Sequence, residues 1–228
     1  MSSATPARPG RRDRRRDRHE STKREILDTA WSMVRDDGLA ALSLRALAHA
    51  VDMEPQSLYT YFASKNALYD RMFADGNQEL ADRFAAADIP AEARGALRAV
   101  AGVFTEFAVQ DQARYQLMFL RAVPGFQPSP ESYAIAVKVL DGVRMVLRRA
   151  GLHNDADFDL WTAVLAGLAS QQLANEPGGD RYLRLIDEAV TMFADHILGP
   201  GREPGGPGSP ADRGSATGMC PCRQAGES

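Results

Sequence analysis

A chain of 228 residues, 44% of them apolar, can bury the core of one domain or of two small ones. Its longest uncharged apolar stretches fall short of the roughly 18–20 residues that cross a bilayer, and no apolar run follows the first arginines, so a secretory leader, a membrane span and a membrane anchor are not expected and the chain reads as cytoplasmic. The net charge of −3 averages two opposite parts: residues 1–24 hold nine basic and three acidic side chains, a net of +6 that leaves −9 for the remainder, and such a basic segment on an acidic protein suits a phosphate backbone.

Residues 1–20 are polar and charged without apolar periodicity, which predicts a disordered basic arm. Thr22 with Glu25 fits a capping box and predicts that the first helix starts there. Ile26, Leu27, Ala30, Trp31 and Val34 form its apolar stripe, and Gly38 its stop. Ser43 caps a short helix over about 44–50, and Val51, Asp52 and Met53 make a turn. Pro55 suits the first position of a third helix, through about Thr60. Ser64 caps a fourth, to about residue 87. Later helices are predicted at about 91–111, 113–121, 131–150, 155–175 and 180–198, with breaks at Pro90, Pro124-Gly125, Gly151 and Pro177-Gly178-Gly179. Residues 199–228 are rich in Gly, Pro and Ser and read as a disordered tail. Cys220 and Cys222 lie in that tail, where two thiols neither staple a core nor complete a zinc site. No segment alternates as a strand does. The fold class is therefore all-α: an N-terminal three-helix helix-turn-helix domain (21–68), then a C-terminal helical bundle (69–198).

Two short helices around a three-residue turn, with longer helices on either side, is helix-turn-helix geometry, the second short helix lying in the major groove. Leu44, Leu47, Ala48, Met53, Leu58 and Phe62 can pack inward. Arg45, Pro55, Gln56, Ser57, Tyr59, Thr60, Tyr61 and Lys65 are left outside. Gln56, Ser57 and Thr60 suit base edges and thymine methyls, and Lys65 adds its charge to helix N–H groups that attract phosphate. Other uses stay open: Tyr59 and Tyr61 as half-buried core residues, Arg45 paired with Asp52 or Glu54, and Ser43 as a cap before it is a DNA contact.

The run TKREILDTAWSMVRDDGLAALSLRALA, continued by SLYTYFASKNALYDRMF, resembles the TetR family of regulators over residues 22–73. The resemblance implies that Tyr59 and Tyr61 hold the sugar-phosphate backbone, a role for which a rigid phenol donor is suited. Two positions depart from the family pattern. Asp52 stands where the turn usually has Gly, and Asp tolerates the left-handed conformation better than most residues. Glu54 replaces the usual Ser or Thr cap of the recognition helix, a poorer cap that brings negative charge near phosphate.

Residues 90–198 carry no metal constellation, phosphate loop or converging acid, base and nucleophile, so neither a cofactor nor an enzyme activity is expected. What recurs is apolar: Phe104, Phe107, Met118, Phe119, Phe126, Tyr133, Val137, Met145, Trp161 and Leu165, which can be plain core or can wall a pocket for a small apolar effector. The segment WTAVLAGLASQQLANEP (161–177) is similar to a TetR subgroup in which a Trp precedes His-Gly, with Ala166-Gly167 here in place of that pair. The resemblance further implies a homodimer built from the last two helices. On one, Leu160, Val164, Gly167, Leu168 and Gln171 share a face. On the other, Leu183, Ile186, Val190 and Phe193 do. The expected function is binding of a double-stranded DNA operator as a repressor that the effector releases. A ligand-independent DNA-binding activator or architectural protein is the alternative.

Overall fold

The computed structural model describes residues 11–199; the rest of the arm and tail, Cys220 and Cys222 included, lie outside them. The described residues are helical without any strand: α1 (Arg11–Asp37), α2 (Leu44–Ala50), α3 (Pro55–Leu58), α4 (Lys65–Ala86), α5 (Ala93–Gln110), α6 (Gln112–Phe119), α7 (Pro130–Arg149), α8 (Asp155–Asn175) and α9 (Ile186–Leu198), with 3-10 turns at Leu39–Ala41 and Leu183–Leu185.

Two elements differ from expectation. Helix α1 begins at Arg11, so residues 11–20 are its first turns and Thr22 lies inside the helix instead of capping it. The capping pair is a permissive signal only. The nearest helix breakers upstream are Pro9 and Gly10, Arg and Glu are good helix formers, and Glu20 stands four residues before Arg24, the orientation that supports a helix. Helix α3 is a single turn that ends at Leu58, not Thr60. The chain tightens there: the amides of Thr60 and Tyr61 bond the carbonyls of Ser57 and Leu58, three residues back, at 3.1 and 2.9 Å.

The first core joins α1 to α4. Ile26, Ala30, Leu47, Ala48, Leu58, Leu68 and Met72 are each fully buried within it. Ala113 and Leu117 of α6 belong to the same cluster, and Phe126, from the loop after α6, packs on it. Burying each of the larger side chains contributes about 1.5–3 kcal/mol relative to exposure. The second core holds Leu97 and Val100 of α5, Leu147 of α7, Phe158, Trp161 and Leu165 of α8, and Val190 and Phe193 of α9. Trp161 and Phe193 stack with centroids 4.9 Å apart.

That stack corrects the expected apolar face of α9. Val190 and Phe193 are spent inside the protomer, and α9 turns Met192 outward, with Leu185 exposed just before it. On α8 the expected face is only partly free: Leu160, Gly167 and Gln171 are exposed, while Val164 and Leu168 pack against the second core. Between the cores, α4 meets α7 at a polar joint. The Asp70 carboxylate accepts from the Ser129 amide and hydroxyl at 2.6 and 2.9 Å and from the Ser132 hydroxyl at 2.8 Å, fixing the start of α7.

Candidate nucleic-acid interface and apolar cavity

The turn between α2 and α3 is built from local bonds. Ser43 Oγ accepts from the Ala46 amide at 3.1 Å, opening α2. Asp52 takes φ 53, the left-handed position that a glycine would otherwise fill. The Met53 amide reaches back to the Ala48 carbonyl at 2.8 Å. Glu54 holds the N-cap position of α3 without a side-chain cap bond, and Pro55 follows it.

Leu58 and Phe62 point inward and are buried, which turns Gln56, Ser57, Tyr59 and Thr60 out to solvent; Tyr59 is 55% exposed. Arg45 is also exposed and makes no ion pair with Asp52 or Glu54 among the described residues. Thr60 already spends its hydroxyl proton on the Ser57 carbonyl at 2.7 Å, which leaves its methyl and its lone pairs for a partner. Pro55 and Tyr61 are half-buried. Tyr61 lies flat on His19 of α1, with centroids 4.7 Å apart and planes at 16°. Lys65 donates to the Ala40 carbonyl at 3.2 Å and sits 5.5 Å over the Tyr69 ring, so its charge is held against the domain rather than swinging free. His19 was not among the expected contacts, and Lys23, which lies 5.7 Å over the Phe62 ring, was expected only as one charge of the basic segment. Their spacing of four along a helix was the available signal, hidden because the helix was expected to start between them, at Thr22.

The second part of the chain forms a half-open cavity of about 740 Å³ walled by α4 to α8, with Val137 and Leu140 of α7 exposed at its mouth. Phe104, Met118, Phe119, Tyr133, Val137, Trp161 and Leu165 line it. Three expected residues do not. Phe107 is buried under the guanidinium groups of Arg83 and Arg114, Phe126 packs on Tyr69 of the first core, and Met145 is 57% exposed. The wall also includes Phe73, Asn77 and Leu80 of α4 and Tyr115 of α6, residue types too common in any core to be singled out. No Asp, Glu, Lys, Arg or His is in the lining. Its polar groups are neutral: Asn77, Tyr133 and Thr162 line it, the Tyr115 hydroxyl lies 3.0 Å from Ser170 Oγ and bonds the Ala166 carbonyl at 3.2 Å, and the fully buried Trp161 indole N–H has no partner.

Helix α6 touches both parts. Tyr115, Met118 and Phe119 face the cavity. On its other side Asp111 pairs with Arg35 of α1 at 2.8 Å, and Arg114 pairs with Glu79 of α4. The Arg114 guanidinium lies 4.9 Å over the Trp31 ring, and Trp31 donates its indole N–H to Asp75 at 3.0 Å. Burial, and then the neighbouring Arg35 charge, lower the Arg114 pKa from its ordinary value. Gly76 lets α4 and α6 close together here, because a Cβ at that position would meet Met118 Sδ at 2.5 Å.

The fold and these two sites define a helix-turn-helix protein with a helical, cavity-bearing second part. Residues 26–72 match the family model described as bacterial regulatory proteins, tetR family. The HTH-type transcriptional regulator Rv1816 of Mycobacterium tuberculosis is 31% identical over 131 residues, so the match spans 56% of this chain and only 56% of that relative. Among solved structures, SCO4313 superposes with a TM-score of 0.65 at 25% identity, covering 82% of this chain and 98% of that one. The multidrug binding protein EbrR, complexed with imidazole, superposes with a TM-score of 0.56 at 26% identity, covering 77% and 92%. Residues 26–72 are thus similar to the tetR family of bacterial regulatory proteins, and most of the chain shares its fold with these two solved structures.

Proposed function

We propose that the protein is a transcriptional regulator that binds a double-stranded DNA operator as a homodimer and is released from it, as a repressor, by a small neutral apolar ligand. The observation that carries this reading is the pairing of an outward helix-turn-helix face with a charge-free cavity through one helix, α6. Residues 21–68 are the reading head and 69–198 the sensing and dimerising part. Gln56, Ser57 and Thr60 read bases. Ser43, Arg45, Pro55, Tyr59, Tyr61 and Lys65 position the backbone. The exposed strip of α8 (Leu160, Gly167, Gln171) and Met192 of α9 meet their mates across a two-fold axis.

The ligand class follows from the lining. An ion giving up water to these walls meets no opposite charge, which disfavours it. A neutral molecule loses little and is held by the aromatic and aliphatic walls. EbrR supports small-molecule binding on this fold. A ligand that displaces Tyr115 and Met118 shifts α6, and the ion pairs of Asp111 and Arg114 carry that shift to α1 and α4. A hundredfold fall in operator affinity needs about 2.7 kcal/mol of preference for the shifted state.

The test is binding of the purified protein to the DNA flanking its own gene, with salt varied and competitor present. Tight binding that the Gln56→Ala/Tyr61→Ala double variant abolishes is expected, together with loss of binding on adding a neutral apolar effector. Equal affinity for operator and unrelated duplex would overturn specific reading. Operator binding indifferent to every cavity ligand would favour the ligand-independent activator or architectural role.

A further inference from the structure

The expected flexible arm is, from Arg11 onward, a continuation of α1. Arg15 to Glu20 are all exposed, and the first buried residue is Ile26, so Arg15 stands about 16 Å beyond the core along the helix axis. The orientation of this overhang is set by contacts, not left to chance. His19 stacks flat on Tyr61 and Lys23 lies over Phe62, so the helix runs alongside the end of the recognition segment. At 100° per residue, Arg15 and Arg16 fall within about 60° of the His19 direction, one turn further out. Asp17 and Glu20 fall about 100–160° away from it. The overhang therefore turns Arg15, Arg16 and His19 to the side of Tyr61, with Asp17, Arg18 and Glu20 away from it.

We infer that the overhang of α1 is a rigid phosphate-binding blade, in which Arg15, Arg16 and His19 grip the DNA backbone beside the segment held by Tyr61. This rests on the DNA-binding function proposed above. It differs from a flexible arm in one respect: the grip depends on helical phase. A tethered arm finds phosphates whatever its rotation, whereas a blade finds them only with this face turned inward.

The experiment measures the affinity of the full chain for the operator and for an unrelated duplex between 0.1 and 1 M salt. Each phosphate contact contributes about 0.9 to the slope of log affinity against log salt. Arg15→Ala/Arg16→Ala is expected to flatten the slope by about 1.8 on both duplexes, so that its deficit grows about 60-fold from 1 M to 0.1 M salt. Arg18 lies about 100° from the His19 direction, on the side of the carboxylates, so Arg18→Ala is expected to leave the slope unchanged. An unchanged slope in the double variant overturns the inference. So does a flattening of about 0.9 in Arg18→Ala as well, since an arm that uses its cations whatever their helical phase is a flexible one. Both outcomes are separate from the failure of specific reading, which shows as equal affinity for the two duplexes. Unaltered helicity and melting temperature in both variants keep the comparison on binding.

Discussion

Single side chains here carry signals of different legibility. Asp52 was readable because a turn needs a left-handed residue and Asp is one of the few that accept it; φ 53 follows. Ser43 and Ser64 were readable as caps, and both accept from the amide three residues on. Phe107, Phe126 and Met145 were not, because an aromatic or Met at helical spacing does not say whether it faces a cavity, a core or solvent. Tyr69 shows what a buried polar atom does at this scale. Its hydroxyl donates to the Leu39 carbonyl at 2.5 Å, and burial raises its pKa above 10.0. The folded state therefore holds this proton more tightly than the unfolded chain does. The resulting stability is intact below pH about 10 and is lost as pH rises towards the raised value. Tyr69→Phe is expected to cost about 1 kcal/mol at neutral pH and to make the alkaline fall of stability shallower, as urea titrations of both proteins from pH 8 to 11 would record.

Among the elements, helix interiors were legible and some ends were not. Helices α4, α7 and α8 lie within a residue or two of their expected limits, because Ser64, Pro130 and the Gly151 break act locally. The start of α1 was missed because nothing obliges a helix to begin at its best cap when good helix formers precede it. The charged joint of α6 was invisible in the sequence, since Arg35, Glu79 and Asp111 are far apart in the chain and meet only when α1, α4 and α6 have packed. The joint gives a prediction for the element. Arg35 is half-exposed, so Arg35→Ala is expected to change stability by no more than about 1 kcal/mol. It nevertheless removes the ion pair that ties α6 to α1. Effector affinity measured by calorimetry should be unchanged, while the effector-induced loss of operator binding should shrink several-fold.

For the molecule as a whole, the fold class was legible throughout, and its division into two parts only partly. The exposed strip of α8 was legible as a face, but its partner on α9 was assigned to residues that the protomer core had already claimed. Leu160→Glu combined with Gly167→Arg places charge and bulk on that strip without touching either core. Sedimentation is expected to show a monomer with unaltered helicity, and operator affinity should fall by more than tenfold because two reading heads no longer bind together.

The first core is closed by Ala113 and Leu117, which come from α6, long after the last helix of the reading head in the chain. That placement sets the rules of exchange between regulators. Cutting the chain after residue 68 would strip the small domain of a wall, so residues 1–68 made alone should be poorly folded. A chimaera that grafts this head onto a foreign sensor should keep its shape only if α6 travels with it, or if the recipient supplies an equivalent pair of small and branched apolar residues. What can be swapped by recombination is then not a contiguous module but the first four helices together with α6.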